Sequence, residues 1–96
     1  MLSIEELISR IKLYNPNADF DLIEKSYRYG FNAHKGQYRA SGEIYFTHPV
    51  EVANIVIDLK LDESTIKTAL LHDTIEDTSR SLKQLELAFG KEVSQL

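Results

Sequence analysis

Apolar residues recur through this chain at spacings of three and four, the period of an α-helix rather than of a strand. Ile4, Leu7, Ile8 and Ile11 fall at i, i+3, i+4 and i+7. Ser3 and Glu6 precede and enter that stripe as a capping box, in which each side chain satisfies the other residue's backbone N–H. Asn15-Pro16-Asn17 ends the pattern by turn chemistry and by proline's missing donor. A second helix starting near Asp19 places Phe20, Ile23, Tyr27, Phe31 and His34 on one face, so His34 is expected to point inward. Pro49 suits the first turn of a third helix, whose buried stripe is expected to be Val52, Ala53, Val56 and Leu59. Asp62 serves as N-cap of a fourth, with Ile66, Ala69 and Leu70 on its apolar face, running into His72-Asp73. Ser81 and Gln84 form another capping box, opening a fifth helix through Leu82, Leu85 and Phe89 to a stop at Gly90. Val93 and Leu96 restart the spacing as a sixth helix cut at its first turn. With no internal repeat and no strand-like run outside one loop, the expected fold is an all-α bundle of about five short helices.

From Gly36 to Thr47 the periodicity stops. Two glycines there are mixed with polar and aromatic residues, which reads as a loop with room for a short hairpin. Lys35 and Arg39 flank Tyr38 and precede Tyr45, a combination suited to an aromatic base carrying phosphates. The plainer reading of such exposed cations is solubility.

Composition limits the chemistry. At 96 residues the chain is one small domain, and folding would bury roughly 60–65% of the unfolded surface. The absence of cysteine excludes a disulfide scaffold, a thiolate zinc site and a thiol nucleophile, leaving His and carboxylate as metal ligands. Fifteen acidic residues against eleven basic ones, without a Lys/Arg run, give no footprint for a nucleic-acid backbone. Glu5 and Glu6 stand where a signal peptide would be apolar, and runs such as Ala69-Leu70-Leu71 are far too short to span a bilayer. A soluble, cytoplasmic protein is expected, without a membrane partner.

The densest polar group is His72, Asp73, Glu76 and Asp77. With His72 at zero on a helical wheel, Glu76 lies at about 40°, Asp73 at about 100° and Asp77 at about 140°. Three carboxylates that close repel one another unless a cation compensates or water solvates them. Either a metal site or a solvated acidic helix end would account for them. A mononuclear site needs at least three protein ligands, and His48, at the start of the third helix, is the obvious addition to His72 and Asp73. A histidine there can also simply cap or pack. His34, in apolar company, reads better as a core histidine hydrogen-bonded to backbone. Thr65, Thr68, Ser79 and Ser81 have no histidine in a recognisable relation to them, which disfavours a serine-type mechanism.

One ordered series of motifs spans residues 20–96. It comprises Ala33-His34-Lys35-Gly36-Gln37-Tyr38-Arg39-Ala40-Ser41-Gly42-Glu43, then Tyr45, His48-Pro49 and Val52-Ala53, then Leu70-Leu71-His72-Asp73-Thr74-Ile75-Glu76-Asp77-Thr78 and Phe89-Gly90. In this it resembles the hydrolase domain of the RelA/SpoT homologues, a branch of the HD-domain metal phosphohydrolases that degrades the alarmone (p)ppGpp. The resemblance covers most of the chain but only the first part of that domain.

The resemblance implies an HD-like helical bundle truncated before its closing helices, with synthetase and regulatory domains absent. It implies that His48, His72 and Asp73 ligate manganese, that Glu76 and Asp77 orient and activate the attacking water, and that Arg39 and Ser41 hold the guanosine portion. Between the last two the family often has lysine where this chain has Ala40. The implied substrates are guanosine tetra- and pentaphosphate, cleaved to release pyrophosphate from the ribose 3′ position and leave GDP or GTP. A bound divalent ion would lower the pKa of its water and neutralise pyrophosphate charge, so an acidic protein can handle an anionic nucleotide. The family's further aspartate ligand lies on a later helix than this sequence reaches. Other expectations are therefore a non-catalytic remnant, a homo-oligomer, or a piece complemented by a separate fragment. Another HD-type nucleotide phosphohydrolase would not be expected to share the Gly36–Glu43 loop.

Overall fold

A computed structural model describes the backbone of residues 1–77 and the side chains of residues 1–72. The expected fifth helix from Ser81 to Gly90 and the restart at Val93 and Leu96 lie outside the described residues. Within them the chain forms four helices: α1 (Ile4–Lys12), α2 (Phe20–Ala33), α3 (Thr47–Asp58) and α4 (Glu63–Asp77). The fold is all-α, and the nearest thing to a sheet among the described residues is an isolated antiparallel bridge between Tyr38 and Ile44. No helix among them is long and apolar enough to cross a membrane.

Local chemistry sets the helix starts. Glu6 N–H donates to Ser3 Oγ at 3.1 Å and Ser3 N–H to Glu6 Oε1 at 3.2 Å, completing the capping box of α1. Asp19 Oδ1 accepts from Leu22 N–H at 3.0 Å, and Asp62 Oδ1 accepts from Thr65 N–H at 2.9 Å and Thr65 Oγ1 at 2.6 Å. Asp19 N–H also donates to the Glu63 carboxylate, so the start of α2 is tied to the start of α4.

The core gathers Leu7 and Ile11 of α1, Ile23 of α2, Val50, Ala53 and Ile57 of α3, and Ile66 and Leu70 of α4. α4 packs against both α2 and α3, while α1 lies more lightly across the same pair. Arg10 of α1 pairs with Asp58 of α3, and Tyr27 Oη donates to the Leu2 carbonyl at 2.8 Å.

Two helices meet closely at Gly30. A β-carbon there would stand 2.7 Å from the Leu70 carbonyl oxygen and 2.6 Å from Phe46 Cε1. Glycine weakens a helix interior by roughly 0.5–1 kcal/mol, and here it admits α4's backbone and an aromatic ring.

Two burial expectations need correction. Phe31 is 38% exposed and Leu59 is 65% exposed, while Val50 and Ile57 fill the α3 core positions. α3 is apolar on several sides, so its sequence alone does not phase it. The helix begins at Thr47, and packing then selects positions 50, 53 and 57.

Leu59 falls at the end of α3, where the chain turns without glycine. Leu61 N–H donates to the Val56 carbonyl at 3.2 Å and Lys60 N–H to the Ile57 carbonyl at 2.9 Å. Lys60 takes a positive φ of 57°, making this a Schellman stop.

Candidate functional site

The site is built at the junction of the loop with α3. Phe46 immediately precedes that helix and is 1% exposed. Its ring meets Tyr27 edge-on at 5.1 Å between centroids and Phe31 edge-on at 6.0 Å, both from α2. Such pairs add about 0.5–1.5 kcal/mol beyond area burial. Phe46 therefore nails the start of α3 onto α2 and fixes where the next two residues emerge. His48 N–H donates to the Tyr45 carbonyl at 3.0 Å. Pro49, inside the first turn, gives up an N–H that has no intrahelical partner there.

His48 leaves this anchored turn half-buried and lines a cleft between α3 and α4. The same cleft, about 260 Å³, is lined by His72 of α4, which is exposed. Its walls are mainly apolar: Pro49, Val52 and Val56 on one side, and Ala69 with Thr65 and Thr68 on the other. Neither threonine hydroxyl offers its proton to the cleft. Thr65 Oγ1 donates to Asp62, and Thr68 Oγ1 donates to the Ser64 carbonyl at 2.8 Å.

Two of the three expected metal ligands thus share one cleft. Position 73 follows His72 on α4, and positions 76 and 77 complete that helix as described. The side chains of Asp73, Glu76 and Asp77 lie outside those described. Among the described residues no three His, Cys, Asp or Glu side chains come together as a metal-binding group. The two imidazoles are nonetheless of a ligand type that suits a divalent first-row ion, and a neighbouring carboxylate would complete a His/Asp set.

Arg39 and Ser41 are elsewhere. Neither lines the cleft; both sit in the loop between Gly36 and Phe46, which folds as a short hairpin. Arg39 N–H donates to the Glu43 carbonyl at 2.8 Å, and Gly42 N–H to the Arg39 carbonyl at 2.9 Å. Gly42 has a φ of 93°, a conformation that a β-carbon disfavours. The Arg39 guanidinium reaches Glu51 of α3 at 3.5 Å, and Ser41 Oγ donates to Glu43 Oε1 at 3.2 Å.

His34 is 2% exposed, as its helical spacing implies, but its partner differs from expectation. Nδ1–H donates to the Gln37 side-chain oxygen at 2.6 Å rather than to backbone. Sequence reasoning gave no role to Gln37, Glu51 or Phe46. The partner of Arg39 is visible only once the loop has folded back, whereas Phe46, beside His48-Pro49, carried a usable signal as a large aromatic abutting a helix start.

Comparison with known proteins follows the same outline. A family model described as the HD domain matches residues 26–96. Over all 96 residues the chain is 46% identical to a protein named GTP pyrophosphokinase rsh from Brucella melitensis biotype 1. Over 86 residues, 90% of the chain, it is 51% identical to one named GTP pyrophosphokinase from Myxococcus xanthus. It is 44% identical over 96 residues to the bifunctional (p)ppGpp synthase/hydrolase SpoT of Escherichia coli strain K12. The chain spans 13%, 11% and 14% of the lengths of these three relatives.

Proposed function

We propose, from the premise that this chain belongs to the HD domain family in its RelA/SpoT branch, that residues 1–96 are part of a metal-dependent hydrolase domain acting on (p)ppGpp. The reaction would release pyrophosphate from the ribose 3′ position and leave GDP or GTP. The observation that carries this reading is the convergence of His48 and His72, from two helices, on one cleft. A relative from Escherichia coli O157:H7 at 44% identity bears the name guanosine-3′,5′-bis(diphosphate) 3′-pyrophosphohydrolase, the same reaction class.

In this reading His48, His72 and Asp73 would hold a divalent ion, manganese by family resemblance. When bound, such an ion lowers the pKa of a coordinated water and offsets phosphate charge. The chain's own groups do the rest. Glu76 and Asp77, at the end of α4, orient the attacking water and accept its proton. Arg39 and Ser41 take the guanosine portion, Arg39 exchanging its Glu51 partner for the nucleotide. The apolar walls of Pro49, Val52, Val56 and Ala69 leave the imidazoles as the main polar groups of the cleft among the described residues. The setting we assign is the cytoplasm.

The test is pyrophosphate release from ppGpp by this 96-residue chain with added manganese. A weak rate, above that of a His72→Ala/Asp73→Ala double variant, is expected. Equal rates would defeat activity of the chain by itself. Loss of manganese and ppGpp binding in both would defeat the site assignment as well.

A further inference from the structure

One buried titratable side chain plays no part in the reading above. His34 caps the C-terminal end of α2, and its Nδ1–H donates to Gln37 Oε1 at 2.6 Å. An amide oxygen only accepts, so Nδ1 carries a proton here. Nε2 is buried without a hydrogen-bond partner among the described residues. The ring lies against Tyr45, with centroids 4.7 Å apart and planes 31° apart, and beyond it against Phe46 at 6.4 Å.

Gln37 is gripped at three points at least. Its N–H donates to the His34 carbonyl at 3.0 Å, its side-chain oxygen takes the His34 proton, and its own carbonyl accepts Tyr45 N–H at 2.9 Å. Gln37 thereby closes the base of the hairpin that carries Arg39 and Ser41. On the other side Tyr45 presents its ring to His48, edge-on with centroids 6.3 Å apart, and accepts the His48 N–H. A row His34–Tyr45–His48 thus runs from the end of α2 to the start of α3. The plane of His34 packs against Tyr45, and its donor edge holds Gln37. Phenylalanine would supply only the plane.

We infer that His34 and Gln37 form a latch that sets the pose of the Tyr38–Ile44 hairpin relative to His48, making His34 a positioning residue for both sides of the candidate site. What the site binds rests on the function proposed above; the latch itself rests on the contacts just described.

The experiment follows backbone amide exchange by NMR in the 96-residue chain, together with ppGpp affinity. Gln37→Leu keeps volume and removes the acceptor, Gln37→Glu keeps an acceptor, and His34→Phe keeps the ring plane without the donor. In Gln37→Leu, exchange at the Arg39, Gly42 and Tyr45 amides should quicken about tenfold or more, while the Ile11 and Ile23 amides keep their protection. Gln37→Glu should restore the slow rates, His34→Phe should match Gln37→Leu, and ppGpp affinity should fall wherever the hairpin loosens. Unchanged protection at Tyr45 in Gln37→Leu overturns the latch. So does a uniform loss across all helices, which marks a merely structural contact. A wild-type chain that fails to bind ppGpp sinks the functional reading instead, and the exchange rates still decide the latch.

Discussion

Gly30 and Phe46 are in a contact that leaves no room for a methyl group: a β-carbon at position 30 would lie 2.6 Å from Phe46 Cε1. The ring has no room to swing aside, because it is buried against Tyr27 and Phe31, and the same β-carbon would also meet the Leu70 carbonyl oxygen at 2.7 Å. Gly30→Ala should therefore destabilise the fold by about 1–3 kcal/mol despite alanine's better helix propensity. Chemical denaturation of the two proteins measures it, and a stabilised variant would refute the contact.

Lys60 offers the opposite case. Its positive φ at the Schellman stop of α3 carries a steric penalty that glycine lacks. Against this stands the extra freedom glycine gives the unfolded chain. Lys60→Gly should gain roughly 0.5 kcal/mol, and Lys60→Val should lose stability, since β-branching makes that backbone region harder to occupy. Thermal melting of the pair shows whether the two variants move in opposite directions.

Acid should uncover the cap of α4. Hydrogen bonds from the Thr65 hydroxyl and N–H hold the Asp62 carboxyl below its ordinary value of 3.8. A carboxyl lowered in the folded state contributes fully above the unfolded value and loses that contribution as pH falls through the folded one. The melting-temperature gap between wild type and Asp62→Ala should stay constant from neutral pH down to about 4 and shrink below it. A gap that widens in acid would contradict the assigned bonds.

Metal binding follows from the cleft. His48→Ala and His72→Ala should each weaken manganese or cobalt binding by more than the ~10–100-fold typical of losing a supporting contact. Isothermal titration, with cobalt absorption as a second readout, tests both. A variant with wild-type affinity would remove that histidine from the site.

The helices were legible from the sequence wherever one face alone is apolar. Ser3, Asp19 and Asp62 announced their helices, and Ile4, Leu7 and Ile11 their buried stripe, because caps and spacing are local properties. α3 was legible as a helix but not in its phase, since Val50, Val52, Val56 and Ile57 are all apolar and only packing against the other helices decides which are buried. The site divides similarly. His48 and His72 were legible as candidates, and the structure brings both to one cleft. The pairing of Arg39 with Glu51 was not, because it depends on a loop returning to a helix, and that of His34 with Gln37 was not, because a histidine at a helix end has backbone as well as side-chain acceptors within reach. Lys60 marks a stop that no glycine signalled.

Phe46 also links two quantities usually measured apart. The ring that seats α3 on α2 is only two residues from His48, so the placement of a candidate ligand and the integrity of the aromatic core are one equilibrium. Any ion that requires His48 in place would bind the folded chain alone and raise its melting temperature with ion concentration. In reverse, substitutions around Phe46 would lower occupancy of the cleft in proportion to the folded fraction they remove. Drift in the core of such a small domain would thus be felt by its ligands and by its fold together.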